Sequence, residues 1–266
     1  MLVLAAGRPI PVAVRAPGGQ DEPVPTLTDL PLPTIEGGSP GLGGVLGVPD
    51  GEGPWPGVVM VHEAFGVTPV MRRQVERSAA AGFLTLMPDL FVDGGPRKCL
   101  RRTFGDIARG AGRTFDDVES ARRTLASRND CTGKVGVLGF CMGGGFALMA
   151  VQDQGFSAAS ANYGRLPKPL DPRLVGACPV IGSYGGRDAS LRGAAARLDA
   201  ALERHGVPHD VQEYPTAGHS FLNDEPHESN PVMGLLLELV LHAGPDPAAA
   251  ADAWARIDGF FSLHLR

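Results

Sequence analysis

Residues 139–145, Gly-Phe-Cys-Met-Gly-Gly-Gly, decide the fold of this 266-residue chain. They follow a short apolar run, "KVGVL" (134–138), and precede "FALMAV" (146–151), which can begin a helix. A reactive side chain at such a junction is typical of a nucleophile on a sharp strand-to-helix turn. The backbone crowds the positions two before and two after it, and small residues, here Gly139 and Gly143, relieve the clash. The turn also directs a helix N-terminus at Cys141, which favours the thiolate.

Other uses of this motif fit less well. A phosphate-binding loop would continue with Lys and then Ser or Thr, and a dinucleotide fingerprint would read G-x-G-x-x-G. Neither pattern occurs here. The four cysteines, at positions 99, 131, 141 and 178, are scattered and include no C-x-x-C pair, so neither a metal cluster nor a disulfide framework is predicted. We predict no cofactor and no metal, and Cys178 is expected to be a small buried apolar residue.

Composition excludes several classes of partner. The net charge of −5 argues against nucleic acid and against an anionic membrane surface, since both require a basic face. No apolar run approaches the roughly 20 residues of a membrane-spanning helix. The N-terminus lacks the basic lead, long apolar core and small-residue cleavage site of a signal peptide. A cytoplasmic protein is therefore predicted, and the sequence leaves its oligomeric state open.

Strand and helix patterns alternate along most of the chain. Residues 1–30 are rich in Pro and Gly and are predicted to be a poorly ordered extension, so that the folded domain spans residues 31–266. Within it, alternation of buried strands with amphipathic helices predicts βαβ units and an α/β fold, a mainly parallel twisted sheet with helices on both faces. Predicted strands cover 57–63, 83–91, 134–140, 156–164, 178–188 and 209–215; predicted helices cover 70–82, 115–128, a segment from about 143, 192–206 and 247–265.

Two further residues complete a nucleophile–acid–histidine order in the chain. Asp188 lies just beyond one predicted strand, and His219 lies in the loop after the last one. Parallel sheets bind ligands at the carboxyl ends of their strands, and there His219 would exchange a proton with Cys141 while Asp188 orients the imidazole. Singly, Asp188 could be a helix cap and His219 an ordinary loop histidine. Their order and their positions at strand ends favour a triad.

Five segments together resemble the dienelactone hydrolases, or carboxymethylenebutenolidases. They are "VHEAFGV" (61–67), "PDLF" (88–91), "GFCMGG" (139–144), "GGRD" (185–188) and "YPTAGHSF" (214–221). The resemblance implies an α/β-hydrolase fold with a Cys-His-Asp triad, matched here by Cys141, His219 and Asp188. It implies a cysteine-dependent hydrolase that acts on a small ester or lactone through an acyl-enzyme on Cys141.

The resemblance also implies roles for the residues that follow the strand at 57–63. Glu63 would hold Cys141 as a protected thiol and accept its proton when substrate binds. A carboxylate beside a thiol raises the pKa of the thiol or takes its proton, which agrees with this role. The backbone N–H groups of Ala64 and Met142 would form the oxyanion hole. Phe65 would line the substrate pocket, with core packing as the alternative.

Two positions depart from the family pattern. Where the resemblance calls for arginines that bind a substrate carboxylate, this chain has Asn223 and Asp93. An uncharged ester or lactone is therefore as good a candidate as dienelactone, unless Arg97, Arg101 or Arg102 replaces the missing cations. Asn223 is predicted to line the substrate pocket.

Residues 223–246 are long for a link and are predicted to form a cap or lid, with surface packing as the alternative. Two other functions stay open at this point: a thiol redox protein that uses Cys141, and a non-catalytic ligand-binding protein on a hydrolase scaffold. The first lacks an obvious resolving cysteine, because the nearest in sequence is Cys131 at the far end of the predicted strand.

Overall fold

The computed structural model describes residues 25–152, 154–225 and 241–266. Eight strands form one sheet in the order β1-β2-β4-β3-β5-β6-β7-β8. The strands from β4 to β8 along this order pair in parallel, and β1 and β2 add an antiparallel edge. This confirms the mainly parallel sheet of an α/β-hydrolase. The strands are β1 (Thr26–Pro31), β2 (Gly43–Val48), β3 (Trp55–Val61), β4 (Leu84–Pro88), β5 (Cys131–Phe140), β6 (Ala158–Asn162), β7 (Val180–Gly185) and β8 (His209–Tyr214).

Helices cover both faces of the sheet. A Cβ on Gly57 of β3 would lie 3.2 Å from Val135, its neighbour on β5, and 3.6 Å from Leu125 of α3 (Arg113–Ala126). A Cβ on Gly136, the next residue of β5, would lie 2.9 Å from Leu265 of α6 (Pro247–Leu265). Successive strand residues point to opposite faces, so α3 and α6 lie on opposite sides of the sheet. The described helices are α1 (Pro69–Ala80), α2 (Pro96–Arg109), α3 (Arg113–Ala126), α4 (Met142–Met149), α5 (Ala194–Arg204) and α6 (Pro247–Leu265).

The central strands place the predicted site residues at one edge. β3 lies directly beside β5, as the interpretation of Glu63 requires, with Val61 opposite Gly139. Because β3 and the strands from β4 to β8 are parallel, their carboxyl ends share one edge of the sheet. Glu63 follows β3, Cys141 follows β5, Asp188 follows β7 and His219 follows β8.

Within the described residues, two strands and one helix were not predicted from the sequence patterns. β1 begins at Thr26, inside the predicted extension, so the folded domain begins earlier than residue 31. The remainder of that extension, residues 1–24, lies outside the described residues. β1 is an edge strand with mostly exposed side chains, and β2 is half glycine. α2 is rich in charged residues and buries two polar ones, Thr103 and Asp106, so its sequence resembles that of a polar loop.

Of the predicted lid at 223–246, residues 226–240 lie outside the described part of the chain. Its two ends are placed: Asn223 is buried beside Glu63, and residues 241–244 contact the His219 loop. Among the described residues, no helix is both long enough and apolar enough to cross a membrane.

Candidate active site

Cys141 occupies a strained turn between β5 and α4. Its φ of 54° and ψ of −111° are unusual for a residue with a side chain. A Cβ on Gly139 would lie 1.9 Å from the carbonyl oxygen of Gly143, and a Cβ on Gly143 would lie 2.1 Å from that of Val61. Backbone atoms fill both positions, so neither can hold a side chain without movement of the strand ends. The geometry agrees with the predicted nucleophile turn.

The N-terminus of α4 (Met142–Met149) lies directly after Cys141. Cys141 is the N-cap of this helix, and its own N–H donates to the carbonyl of Asn162, 3.0 Å away on β6. The first N–H groups of a helix have no partner within it, and they carry a partial positive charge. Met142 is the first residue of α4, so its N–H is one of these groups, and its role as an oxyanion donor stays a prediction.

Asp188 and His219 form the predicted acid–histidine pair. Asp188 Oδ2 lies 2.6 Å from Nδ1 of His219, and the Asp188 side chain is fully buried. Its other oxygen accepts hydrogen bonds from the backbone N–H of Ser190 at 2.9 Å and from the Ser190 hydroxyl at 2.6 Å. Burial alone would raise the pKa of Asp188, but these bonds, led by that of His219, lower it below its usual value. Asp188 therefore stays ionised and can stabilise an imidazolium.

The backbone of His219 is fixed on both sides by the segment that leads into α6. Its N–H donates to the carbonyl of Leu241 at 3.0 Å, and its carbonyl accepts from Gly244 at 3.0 Å. Burial disfavours the charged imidazole, but its interactions with Asp188 and with the Cys141 sulfur outweigh burial and raise the pKa of His219 to about 10. The arrangement therefore favours an imidazolium next to Cys141 at neutral pH.

Glu63 is buried on the other side of the site. It is 1% exposed, and its carboxylate accepts hydrogen bonds from the Ser220 hydroxyl at 3.2 Å and from the Asn223 amide at 3.3 Å. Asn223 is itself only 3% exposed. The structure therefore places Asn223 as a partner of Glu63. Whether it also meets substrate stays a prediction.

Tyr163 belongs to the site, although the sequence patterns did not single it out. It follows β6 with a φ of 39°, and its ring lies 5.1 Å from the imidazole of His219. Its buried hydroxyl lies beside the Glu63 carboxylate. Burial, and then the negative charges of Glu63 and Cys141, raise the pKa of Tyr163 well above its usual value. Tyr163 is thus a protonated donor near Cys141. Its position after a strand at the carboxyl edge was the signal that could have revealed it.

The loop after β3 is held in place by His62. This buried imidazole accepts a hydrogen bond at Nε2 from the N–H of Leu90 (3.2 Å), so Nδ1 carries the proton and donates to the carbonyl of Glu63 (2.7 Å). Ala64, the second predicted oxyanion donor, and Phe65, the predicted pocket residue, follow in this loop and are half-buried. The contacts fix the backbone at the carboxyl end of the strand beside Cys141.

Three arginines could bind a substrate carboxylate in place of the pair that the family pattern calls for. One of them is already bound to Asp93, and the other two are exposed. Arg102 and Arg113 both donate to Asp93, at 3.0 and 2.7 Å, so the Asp93 carboxylate is neutralised by two cations. Arg97 and Arg101 are exposed on α2. Within the described residues, no group of three His, Cys, Asp or Glu side chains is arranged to hold a metal ion.

Comparison with known proteins agrees with this geometry. The sequence profile of the dienelactone hydrolase family matches residues 42–265. The chain belongs to that family. It is 31% identical over 224 residues to a carboxymethylenebutenolidase of Rhodococcus opacus, covering 78% of this chain and 81% of the relative.

Solved structures show the same fold. The dienelactone hydrolase of Anabaena variabilis superposes with a TM-score of 0.66 at 22% identity, covering 91% of this chain and 99% of that one. Brefeldin A esterase, described as a bacterial homologue of human hormone-sensitive lipase, gives a TM-score of 0.65 at 15% identity, covering 96% and 81%. Family and fold together make this protein a hydrolase of the dienelactone hydrolase family.

The close backbone contact at Gly143 gives a stability prediction. Gly143→Ala should destabilise the protein by about 3 kcal/mol, because the new Cβ would overlap the Val61 carbonyl and rigid backbone cannot yield cheaply. Gly259→Ala is the matched control, since a Cβ there meets nothing within 4 Å on α6, and it should stabilise by about 0.5–1 kcal/mol. Urea unfolding measures both. Equal unfolding midpoints for Gly143→Ala and the wild type would contradict the proposed constraint.

The pKa of His219 gives a second prediction. Cys141→Ala removes the sulfur and Asp188→Asn removes the anion, and each change should lower the pKa of His219 from its raised value. The reason is that each variant loses a partner of the imidazolium, while the burial that disfavours the charged ring is unchanged. NMR titration of the imidazole measures the shift. His205→Gln, a surface change at Asp171, is the control and should leave this titration unchanged. An unaltered pKa in both site variants would show that neither group supports the charged imidazole.

Proposed function

We propose that this protein hydrolyses a small, uncharged ester or lactone by nucleophilic catalysis on Cys141, through an acyl-enzyme. The observation that carries the proposal is the 2.6 Å hydrogen bond between Asp188 and His219 beside a cysteine on a strained strand-to-helix turn. The name of the Rhodococcus opacus relative, carboxymethylenebutenolidase, supports a lactone-type substrate.

Glu63 and His219 divide the proton transfers of the first half-reaction. On substrate binding Glu63 takes the proton of the Cys141 thiol, and the thiolate is paired with the His219 imidazolium. The sulfur attacks the carbonyl carbon, while the N–H groups of Met142 and Ala64 stabilise the negative oxygen of the tetrahedral intermediate. The intermediate collapses to a thioester as the imidazolium gives its proton to the departing alkoxide.

Hydrolysis of the thioester reverses these roles. Neutral His219 takes a proton from water, and the hydroxide attacks the acyl carbon. Collapse of the second intermediate expels the thiolate, which recovers its proton from Glu63, and the carboxylic acid leaves. Asp188 holds the imidazole in the orientation that both steps require. The Tyr163 hydroxyl supplies a further donor beside Glu63 and the sulfur.

The thiol redox alternative has no support from the other cysteines. Cys131 begins β5 and Cys141 follows its end, so about 30 Å of extended strand separate them. A disulfide requires Cα atoms within about 7 Å of each other. All four cysteines are free, and Cys99 is completely buried.

A neutral substrate fits the charges around the nucleophile. Glu63 is a buried carboxylate, and its neighbour Asn223 donates hydrogen bonds without contributing a positive charge. Arg102 is already paired with Asp93. A substrate carboxylate that enters while Glu63 is still ionised would meet a like charge, and this repulsion disfavours its binding.

The assignment of Cys141 is tested by ester hydrolysis. Cys141→Ala should lower kcat by more than about 10³-fold, because the nucleophile is lost. Adding His219→Ala to that variant should cost little more, since triad members act as one unit. Cys178→Ala is the control and should retain activity, because that half-buried cysteine precedes β7 at the opposite end of the sheet. Wild-type kcat in Cys141→Ala would refute the assignment.

The charge of the substrate is tested with a matched pair, 4-nitrophenyl methyl glutarate and 4-nitrophenyl hydrogen glutarate. The neutral diester should show a kcat/KM more than about tenfold higher than the free acid, because the ionised Glu63 repels the free carboxylate as the substrate enters. In Glu63→Gln the ratio of the two values should fall towards one, even if both rates drop. A preference for the free acid, lost in Arg97→Ala or Arg101→Ala, would instead show that a surface arginine binds a substrate carboxylate.

A further inference from the structure

A groove of about 580 Å³ lies next to the catalytic acid but outside the triad. One wall is the segment from Arg165 to Asp171, which leaves the carboxyl end of β6, and the other is α5. Ser190 lines the groove, and the same residue donates two hydrogen bonds to Asp188. The volume falls within the range of small-molecule binding sites, roughly 300–1,000 Å³.

The groove is cationic in a protein whose net charge is −5. Four basic side chains line it, and Asp171 is its one acidic residue among those described. Asp171 is bound by Arg204 at 2.8 Å. The other three, Arg165, Lys168 and Arg197, are exposed and have no carboxylate within ion-pair distance in the described part of the chain. Their charges are therefore available to a ligand.

The floor of the groove is apolar and its wall is stiff. Leu166, Leu170 and Leu191 line it together with small alanine side chains of α5. Two prolines, Pro167 and Pro169, alternate with these residues in the wall segment and restrict its backbone. A preformed site loses less conformational entropy when a ligand binds.

We propose that this groove is a binding site for a small organic anion with an apolar body, such as a medium-chain carboxylate. The leucines would cover the hydrocarbon part, while Arg165, Lys168 and Arg197 would attract the anionic group. Three cations around a cavity of this size are too few for a nucleic-acid backbone, which is bound through many phosphate contacts. The site does not depend on the proposed hydrolase activity, because it includes no triad residue.

The test is a fluorescence titration of the full chain with 8-anilinonaphthalene-1-sulfonate, an apolar anion. Ala200 lines the groove on an exposed turn of α5, so Ala200→Glu places a carboxylate there without disturbing the core. We expect its Kd to rise more than about tenfold. Ala108→Glu, the same change on an exposed turn of α2, is the control and should leave Kd within about twofold of wild type. Circular dichroism checks that both variants are folded.

Two further measurements test whether the charge of the ligand contributes to binding, and whether the dye binds in the groove or at the active site. Octanoate should displace the dye, and octanamide, which has the same chain without the charge, should displace it at least tenfold less well. Cys141→Ala should bind the dye as the wild type does, which distinguishes this site from the triad even if the protein proves not to be an esterase. Any of three results would overturn the proposal: a wild-type Kd in folded Ala200→Glu, displacement by octanamide as effective as that by octanoate, or loss of dye binding in Cys141→Ala.

Discussion

The backbone contact between the nucleophile turn and the end of β3 is the constraint on which the rest of the site depends. A Cβ at Gly143 would lie 2.1 Å from the Val61 carbonyl, so β5 and α4 can approach β3 this closely only with glycine there. The approach forces Cys141 to a φ of 54°, a conformation that costs about 1–3 kcal/mol for a residue with a side chain. It lifts the sulfur above the sheet, beside the loops that follow the neighbouring strands. Without this turn, the Cys141 sulfur would not lie beside His219 and Glu63.

The second requirement of the site is that the charges of its two buried carboxylates, Asp188 and Glu63, are stabilised by hydrogen-bond donors. Asp188 is stabilised by His219 and by the two donors of Ser190, so its burial is compensated by charge-assisted hydrogen bonds. Glu63 is held by the hydroxyl of Ser220 and the amide of Asn223, which are neutral donors. An imidazolium at His219 faces the first carboxylate and the sulfur. In this account, the neutrality of Asn223 is what makes the pocket unfavourable for an anionic substrate.

The sequence predicted most about the residues that combine a reactive side chain with a position at the carboxyl end of a strand. Cys141 lies in a motif with strict steric needs, and Asp188 and His219 follow strands in a fixed order, so the sequence alone predicts that all three lie at one edge of the sheet. Tyr163 was missed because a tyrosine after a strand is usual in a core, so its place at the carboxyl edge is a weak signal. Its buried hydroxyl and its contact with His219 distinguish it in the structure. The role of Asn223 as a partner of Glu63 is a tertiary contact that no local pattern encodes.

The peripheral elements of the fold were harder to predict, for physical reasons. β1 exposes most of its side chains, and β2 keeps Gly47 because a Cβ there would lie 2.9 Å from Val75 on α1. Neither therefore shows the apolar, β-branched pattern of a buried strand. α2 buries Asp106, which accepts hydrogen bonds from the N–H and hydroxyl of Thr114 at the start of α3. α2 also carries many charged residues, so its sequence resembles that of a polar loop.

The central claim is that the acyl group of the substrate passes through the Cys141 sulfur. Rapid acid quench of the enzyme with excess 4-nitrophenyl ester, followed by peptide mass spectrometry, tests it most directly. The account predicts that the peptide containing Cys141 gains the mass of one acyl group within the first turnover and loses it as substrate is exhausted, and that Cys141→Ala gains none. Steady turnover with an unmodified Cys141 peptide, or an acyl group that forms and decays at catalytic rates on another residue, would contradict the account.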